Sequence, residues 1–81
     1  MADSVREIIA EVLEVEEHFV VDQLGPDTDG SWDSLNHLRI ITAVQQEFGV
    51  EFSLEEIQGI RSVGALRELL DETLSKSKEE S

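Results

Sequence analysis

The sequence predicts an all-α fold: a four-helix bundle with three longer helices, one short third helix and a long first loop. Three observations carry that expectation. Apolar residues recur at i, i+3, i+4 and i+7 in separate stretches, the stripe of an amphipathic helix. Serine, aspartate and glycine stand where such stretches begin and end, as helix caps do. No strand with convincing alternation is present; VEFSL, residues 50–54, is the only candidate and is short.

The first helix opens on Asp3 or Ser4 as cap and carries Val5, Ile8, Ile9 and Val12 on one face, with Leu13 beside them. Its glutamates lie mostly off that stripe, and it is expected to run to about Glu17. A connection follows, HFVVDQLGPDTDGSWD, broken by Gly25-Pro26. It exceeds the usual loop, and long ordered loops in small domains are often functional. Phe19, Val20, Leu24 and Trp32 are its expected anchors.

The second helix starts near Ser34 and ends at Phe48, before Gly49, which suits a left-handed cap. Its apolar set (Leu35, Leu38, Ile40, Ile41, Val44, Phe48) is wide, so it is expected to be the most buried helix. Ser53 and Glu56 form a capping box that announces a short third helix, weakened by Gly59. Ser62 caps the last helix, with Val63, Leu66, Leu69, Leu70 and Leu74 on one face. The domain is expected to span residues 1–75, and 76–81 to form a charged, flexible tail.

Composition narrows the function. Eighty-one residues make one small domain with a modest core. There is no cysteine, so neither a disulfide framework nor a zinc-thiolate site holds it together. No apolar run approaches the roughly 20 residues of a membrane span, and MADSVREII lacks the pattern of a signal peptide. A cytoplasmic, soluble protein is expected. Nineteen acidic against six basic residues give a net charge of −13. That argues against nonspecific nucleic-acid binding, which needs a basic surface, and leaves solubility or steering toward basic partners. The acids are uneven. Residues 1–22 hold seven acids and one arginine, whereas residues 34–48 hold only Arg39 and Glu47 as charged groups.

DTDGSWDSLNHL, residues 27–38, admits two readings. Asp27, Asp29, Ser31 and Asp33 have the every-second-residue spacing of the first ligands in a calcium loop. That loop needs glycine at its sixth position and a bidentate glutamate at its twelfth; Trp32 and Leu38 stand there. In the second reading, Asp33 caps the second helix and leaves the Ser34 hydroxyl outward in the first turn. Backbone N–H groups there are unpaired and the macrodipole is positive, so a phosphodiester on that serine is well placed. The plain alternative is that both residues only cap a helix.

The stretch WDSLNHLRIITAVQQEFGVEFSLEEIQGIRSVGALRELL resembles the acyl carrier protein family. Asp33-Ser34-Leu35 follows a long first loop, Glu47-Phe48-Gly49 closes the second helix, and Val50, Phe52, a short acidic helix and Ser62-Val63-Gly64 follow. The resemblance implies a four-helix carrier bundle. It implies 4′-phosphopantetheine as a phosphodiester on Ser34, flanked by Asp33 and Leu35, with cargo carried as a thioester on its thiol. A thioester carrier needs a reactive thiol and this chain encodes none, which is consistent with a prosthetic one. The family's partners would be a phosphopantetheinyl transferase, an acyl- or aminoacyl-loading ligase, and a downstream transferase or synthase; a monomer is expected. No catalytic constellation accompanies Ser34. His37, three residues on, is read as solvent-facing or a passive contact, and no orienting acid or oxyanion donor completes a hydrolytic pair. The chain is read as a substrate for enzymes rather than an enzyme; the alternative is an unmodified acidic docking module.

The sequence also departs from the family's pattern. Trp32 precedes the Asp-Ser pair where a small or aliphatic residue is usual, and is either a partner contact or a loop anchor. Asn36, Arg39, Gln45 and Gln46 occupy positions on the second helix that are commonly acidic and that partners read. Trp32, Asn36 and Arg39 are therefore candidate partner contacts, and a specialised pathway is expected rather than bulk fatty acid synthesis. By resemblance, Leu38, Ile41, Val44, Phe52, Ile57, Ile60, Val63 and Leu66 would line an acyl passage. Phe52 and Ile57 are larger than usual there, so a short or aminoacyl cargo on an exposed arm is expected.

Overall fold

The computed structural model describes residues 4–80, with side chains through residue 76. Four α-helices and one 3-10 turn make up its regular structure, in the order α1 (Ser4–Leu13), the turn Glu17–Phe19, α2 (Ser34–Phe48), α3 (Leu54–Gly59) and α4 (Val63–Glu80). No strand occurs among the described residues. The chain is all-α.

The stripe on α1 packs as its spacing requires: Val5, Ile9, Ala10 and Leu13 are buried, with Ile8 and Val12 half-buried beside them. The helix is shorter than expected. Its backbone turns left-handed at Glu14, with φ 58°. The Glu14 N–H donates to the Glu11 carbonyl at 3.3 Å and the Val15 N–H to the Ala10 carbonyl at 3.0 Å, the paired bonds of a Schellman cap. Glutamate stands where glycine is usual, so the sequence gives no stop signal. The Arg6 guanidinium then donates to the Glu17 carbonyl at 2.7 Å and holds the 3-10 turn against α1. Asp3, the other candidate cap, lies outside the described residues.

The bounds of α2 are those its caps predict. The Asp33 carboxylate accepts from the Asn36 N–H at 2.9 Å, and Gly49 closes the helix at φ 65°. It is not the most buried helix, however. It buries three of its fifteen residues, Ile40, Ile41 and Val44, against four of ten in α1. Leu35 and Leu38 are 59% and 53% exposed. At 3.6 residues per turn, Leu35 lies about 180° around the helix from Val44, so one core cannot cover both.

Beyond Gly49 the segment read as a possible strand is an extended linker. Val50 and Phe52 enter the core, and the Gln45 side chain accepts the Phe52 N–H at 2.9 Å. The predicted capping box opens α3: the Ser53 N–H donates to Glu56 Oε1 at 2.9 Å and the Glu56 N–H to Ser53 Oγ at 3.1 Å. On α4, Val63, Leu66 and Leu70 complete the core, flanked by Leu69 and Leu74. This helix continues to Glu80, through residues expected to form a flexible tail. SKSKEE contains neither glycine nor proline, so nothing in it terminates a helix.

Candidate functional site

The first loop is fixed at both ends of its course. Val20 and Trp32 are buried, 2% and 1% exposed, and Leu24 is half-buried. Phe19, expected as a further anchor, is 59% exposed and lies against the His18 ring instead. It sits on the 3-10 turn, none of whose residues is buried.

The loop also caps α4. The Val63 N–H donates to the Leu24 carbonyl at 2.8 Å and the Gly64 N–H to the Asp22 carbonyl at 2.9 Å, while Ser62 Oγ accepts the Ala65 N–H at 3.1 Å. The first-turn donors of α4 are thereby satisfied, and the loop is bound to its start. Asp27 pairs with Arg61 at 2.6 Å across the same junction.

Within the loop, Asp29 Oδ1 accepts from the Ser31 hydroxyl at 2.6 Å and the Ser31 N–H at 2.8 Å. The Ser31 hydroxyl, then its N–H, hold the Asp29 carboxyl below the ordinary aspartate range. The carboxylates that made a calcium loop conceivable are committed elsewhere: Asp27 to Arg61, Asp29 to Ser31 and Asp33 to the α2 cap. No group of residues able to hold a metal ion occurs among the described residues.

Ser34 is exposed in the first turn of α2. Because Asp33 does the capping, the Ser34 hydroxyl is not needed to finish the helix. The position combines free first-turn N–H groups, a positive helix end and an accessible hydroxyl, which suits an anionic phosphodiester. Beside it lies a groove of about 660 Å³, lined by Pro26, Trp32, Asp33, Ser34, His37, Leu38, Leu54, Ile57, Gln58, Ile60 and Arg61. That is within the range of small-ligand clefts.

The structure separates the eight residues expected to line an acyl passage. Leu38, Ile57 and Ile60 line the groove next to Ser34. Ile41, Val44, Phe52, Val63 and Leu66 are buried in the core, none more than 7% exposed, and do not line it. Of the candidate partner contacts, Trp32 is 1% exposed and anchors the loop in the core. Large aromatics are fixed by the area they bury. Asn36 is half-exposed, and its side chain donates to the Ser31 carbonyl at 2.7 Å. Arg39 is exposed, beside a shallow depression formed with Leu35, Leu38, Thr42, Ala43 and Gln46.

His37 is half-buried at the edge of the groove, and its ring makes passive contacts rather than catalytic ones. The Trp32 indole N–H donates to His37 Nδ1 at 2.9 Å, and Nε2 lies 2.8 Å from the Ile57 carbonyl. Both ring nitrogens are occupied, which leaves none to activate Ser34. The spacing of Trp32 and His37 was visible in the sequence. Their meeting with a carbonyl at the far end of α3 was not.

A family model described as "Phosphopantetheine attachment site" matches residues 3–70, and the chain belongs to that family. Its members are carriers rather than enzymes, and the expected prosthetic group is 4′-phosphopantetheine. The fold agrees. The solution structure of a holo acyl carrier protein from Geobacter metallireducens is 25% identical, covers 98% of this chain and 91% of its own, and superposes with a TM-score of 0.83. A putative acyl carrier protein from Mycobacterium tuberculosis, 23% identical, shares the fold over 79% of this chain and 85% of its own, with a TM-score of 0.72.

Proposed function

We propose that this protein carries a thioester-linked acyl or aminoacyl intermediate on 4′-phosphopantetheine attached to Ser34, in a specialised pathway rather than bulk fatty acid synthesis. The observation that carries the attachment site is the exposed Ser34 hydroxyl on a helix whose cap is Asp33. The group supplies the thiol that the chain itself lacks. The protein acts in the cytoplasm as a monomer, and meets in turn a phosphopantetheinyl transferase, a loading ligase and a transferase or synthase. No helix among the described residues is long and apolar enough to cross a membrane.

The specialised role is supported by the exposed face of α2. Leu35, Leu38, Thr42 and Ala43 surround Arg39 there, and Gln45 is committed to the Phe52 N–H. Glu47 is the sole acid on the helix. Partners that recognise an acidic second helix find little to pair with. A short or aminoacyl cargo is supported by the closed core, in which Val44, Val63 and Leu66 are 0% exposed; a charged group would be costly to bury there.

Intact mass after incubation with coenzyme A and a phosphopantetheinyl transferase tests the attachment. The wild-type chain gains one phosphopantetheine. Ser34→Ala gains none and keeps its helical circular dichroism, because the Asp33 cap survives. A wild-type chain that stays unmodified would be a docking module instead, and a modified Ser34→Ala would move the site elsewhere.

A further inference from the structure

We propose that His37 is a specificity-determining residue: its bridge from Trp32 to the Ile57 carbonyl latches α3 to the start of α2 and keeps cargo carried at Ser34 in the surface groove. The hydrogen-bond roles leave one arrangement. A carbonyl only accepts, so Nε2 carries the proton toward Ile57; an indole N–H only donates, so Nδ1 is bare toward Trp32. The neutral ring in this tautomer satisfies both neighbours at once. It joins three elements, namely the end of the first loop, the first turn of α2 and the end of α3.

The bridge matters because α3 is anchored only through its flanks, Phe52 and Ile60, and the half-buried Ile57. That helix is six residues long and has no buried residue. Leu54 is 68% exposed and Ile57 half-buried. Short elements with few buried contacts open at low cost, so a single hydrogen bond is a large share of what keeps α3 in place. Among the described residues, His37 to Ile57 is the one hydrogen bond between α2 and α3. Further along α2, Ile41 and Val44 are in the core, 1% and 0% exposed. The groove beside Ser34 is lined by His37 and Leu38 of α2 and by Leu54 and Ile57 of α3, so cargo passing inward between these helices must part them, and the latch opposes that parting.

The cargo half of this proposal rests on the Ser34 reading; the latch half does not, and the experiment keeps them apart. Amide hydrogen exchange is measured first on the unmodified chain, for wild type, His37→Val and His37→Gln. His37→Val removes both bonds, and Ile57 and Gln58 exchange about fivefold faster, the factor expected from the loss of the one bond to α3 at ordinary net strength, while Leu66 and Leu70 do not change. His37→Gln, whose carboxamide offers one acceptor and one donor, restores slow exchange. An octanoyl group is then loaded through phosphopantetheine at Ser34 and amide shifts are compared with the acetyl form. Wild type shows octanoyl-specific shifts only around the groove; His37→Val also shows them at Ile41, Val44 and Phe52. Unchanged exchange in His37→Val overturns the latch whether or not Ser34 is modified. Octanoyl shifts at Ile41 and Phe52 as large in wild type as in the variant overturn its role in specificity. Failure to modify Ser34 counts against the carrier reading alone, and the exchange result still decides the latch.

Discussion

Gly25 lies so close to Arg61 that a β-carbon on it would stand 2.1 Å from the Arg61 carbonyl oxygen. Backbone meets backbone here, so neither side can rotate away. This contact seats the first loop against the start of α4, within reach of the Leu24 and Asp22 carbonyls that cap that helix. The proposed attachment residue, Ser34, depends on it indirectly, since the same loop delivers Trp32 and Asp33 to α2.

Gly25→Ala is therefore expected to destabilise the fold by about 2–3 kcal/mol, the upper range of overpacking costs. Gly30, in the same loop, has nothing within 4 Å of its added carbon, so Gly30→Ala is expected to stay within about 0.5 kcal/mol. Urea unfolding of the two variants beside wild type checks both. Equal midpoints for the two would mean that the loop shifts freely around residue 25.

Glu14 predicts a change of opposite sign. It holds φ 58° at the end of α1, a conformation that costs an ordinary residue about 1–2 kcal/mol. Glycine pays no such penalty but gives up some unfolded-state entropy. Glu14→Gly is expected to raise stability by about 0.5–1 kcal/mol, read as a higher urea midpoint at unchanged m-value. A loss of stability would show that the Glu14 side chain contributes more than its backbone costs.

Asp29 gives the pH dependence of the loop. Its carboxyl is depressed by the Ser31 hydroxyl and N–H. A group whose folded pKa lies below its unfolded value stabilises fully above the unfolded value, and loses that contribution as pH falls through the folded one. The carboxyl carbon shift of Asp29 should titrate below the usual aspartate midpoint of about 3.9. Ser31→Ala should move it back up. Because the group is exposed, global stability should change little across that window. An Asp29 midpoint that Ser31→Ala leaves in place would mean that the Ser31 hydroxyl bond does not form in solution.

The exposed face of α2 predicts partner choice. With a generic fatty acid synthase ketosynthase or malonyl transferase, the phosphopantetheinylated protein is expected to turn over poorly. Arg39→Glu should raise kcat/KM about three- to tenfold by removing a like charge from the encounter. Wild-type turnover equal to that of a dedicated fatty acid carrier would reject the specialised role.

Single residues with one physical job were legible in the sequence. Asp33 and Gly49 gave both ends of α2, and the Ser53–Glu56 box gave the start of α3; Ser34 became a candidate only through the family resemblance. The end of α1 was not legible, because a glutamate took a conformation that sequence reading reserves for glycine. The apolar register of α2 was visible, but whether a residue met core or groove depended on where α3 settled. That placement divided Leu38 and Ile57 from Ile41 and Phe52. His37 looked idle for the same reason, since its second partner is a carbonyl twenty residues away.

The chain has one tryptophan and no tyrosine, so its near-ultraviolet emission comes almost entirely from Trp32. That indole is buried two positions before Ser34, and its N–H is tied to His37. The protein thus contains its own optical probe at the junction of the first loop, α2 and α3. Arrival of the prosthetic arm, loading of cargo or docking of an enzyme can be followed there by emission wavelength and lifetime, with no dye attached.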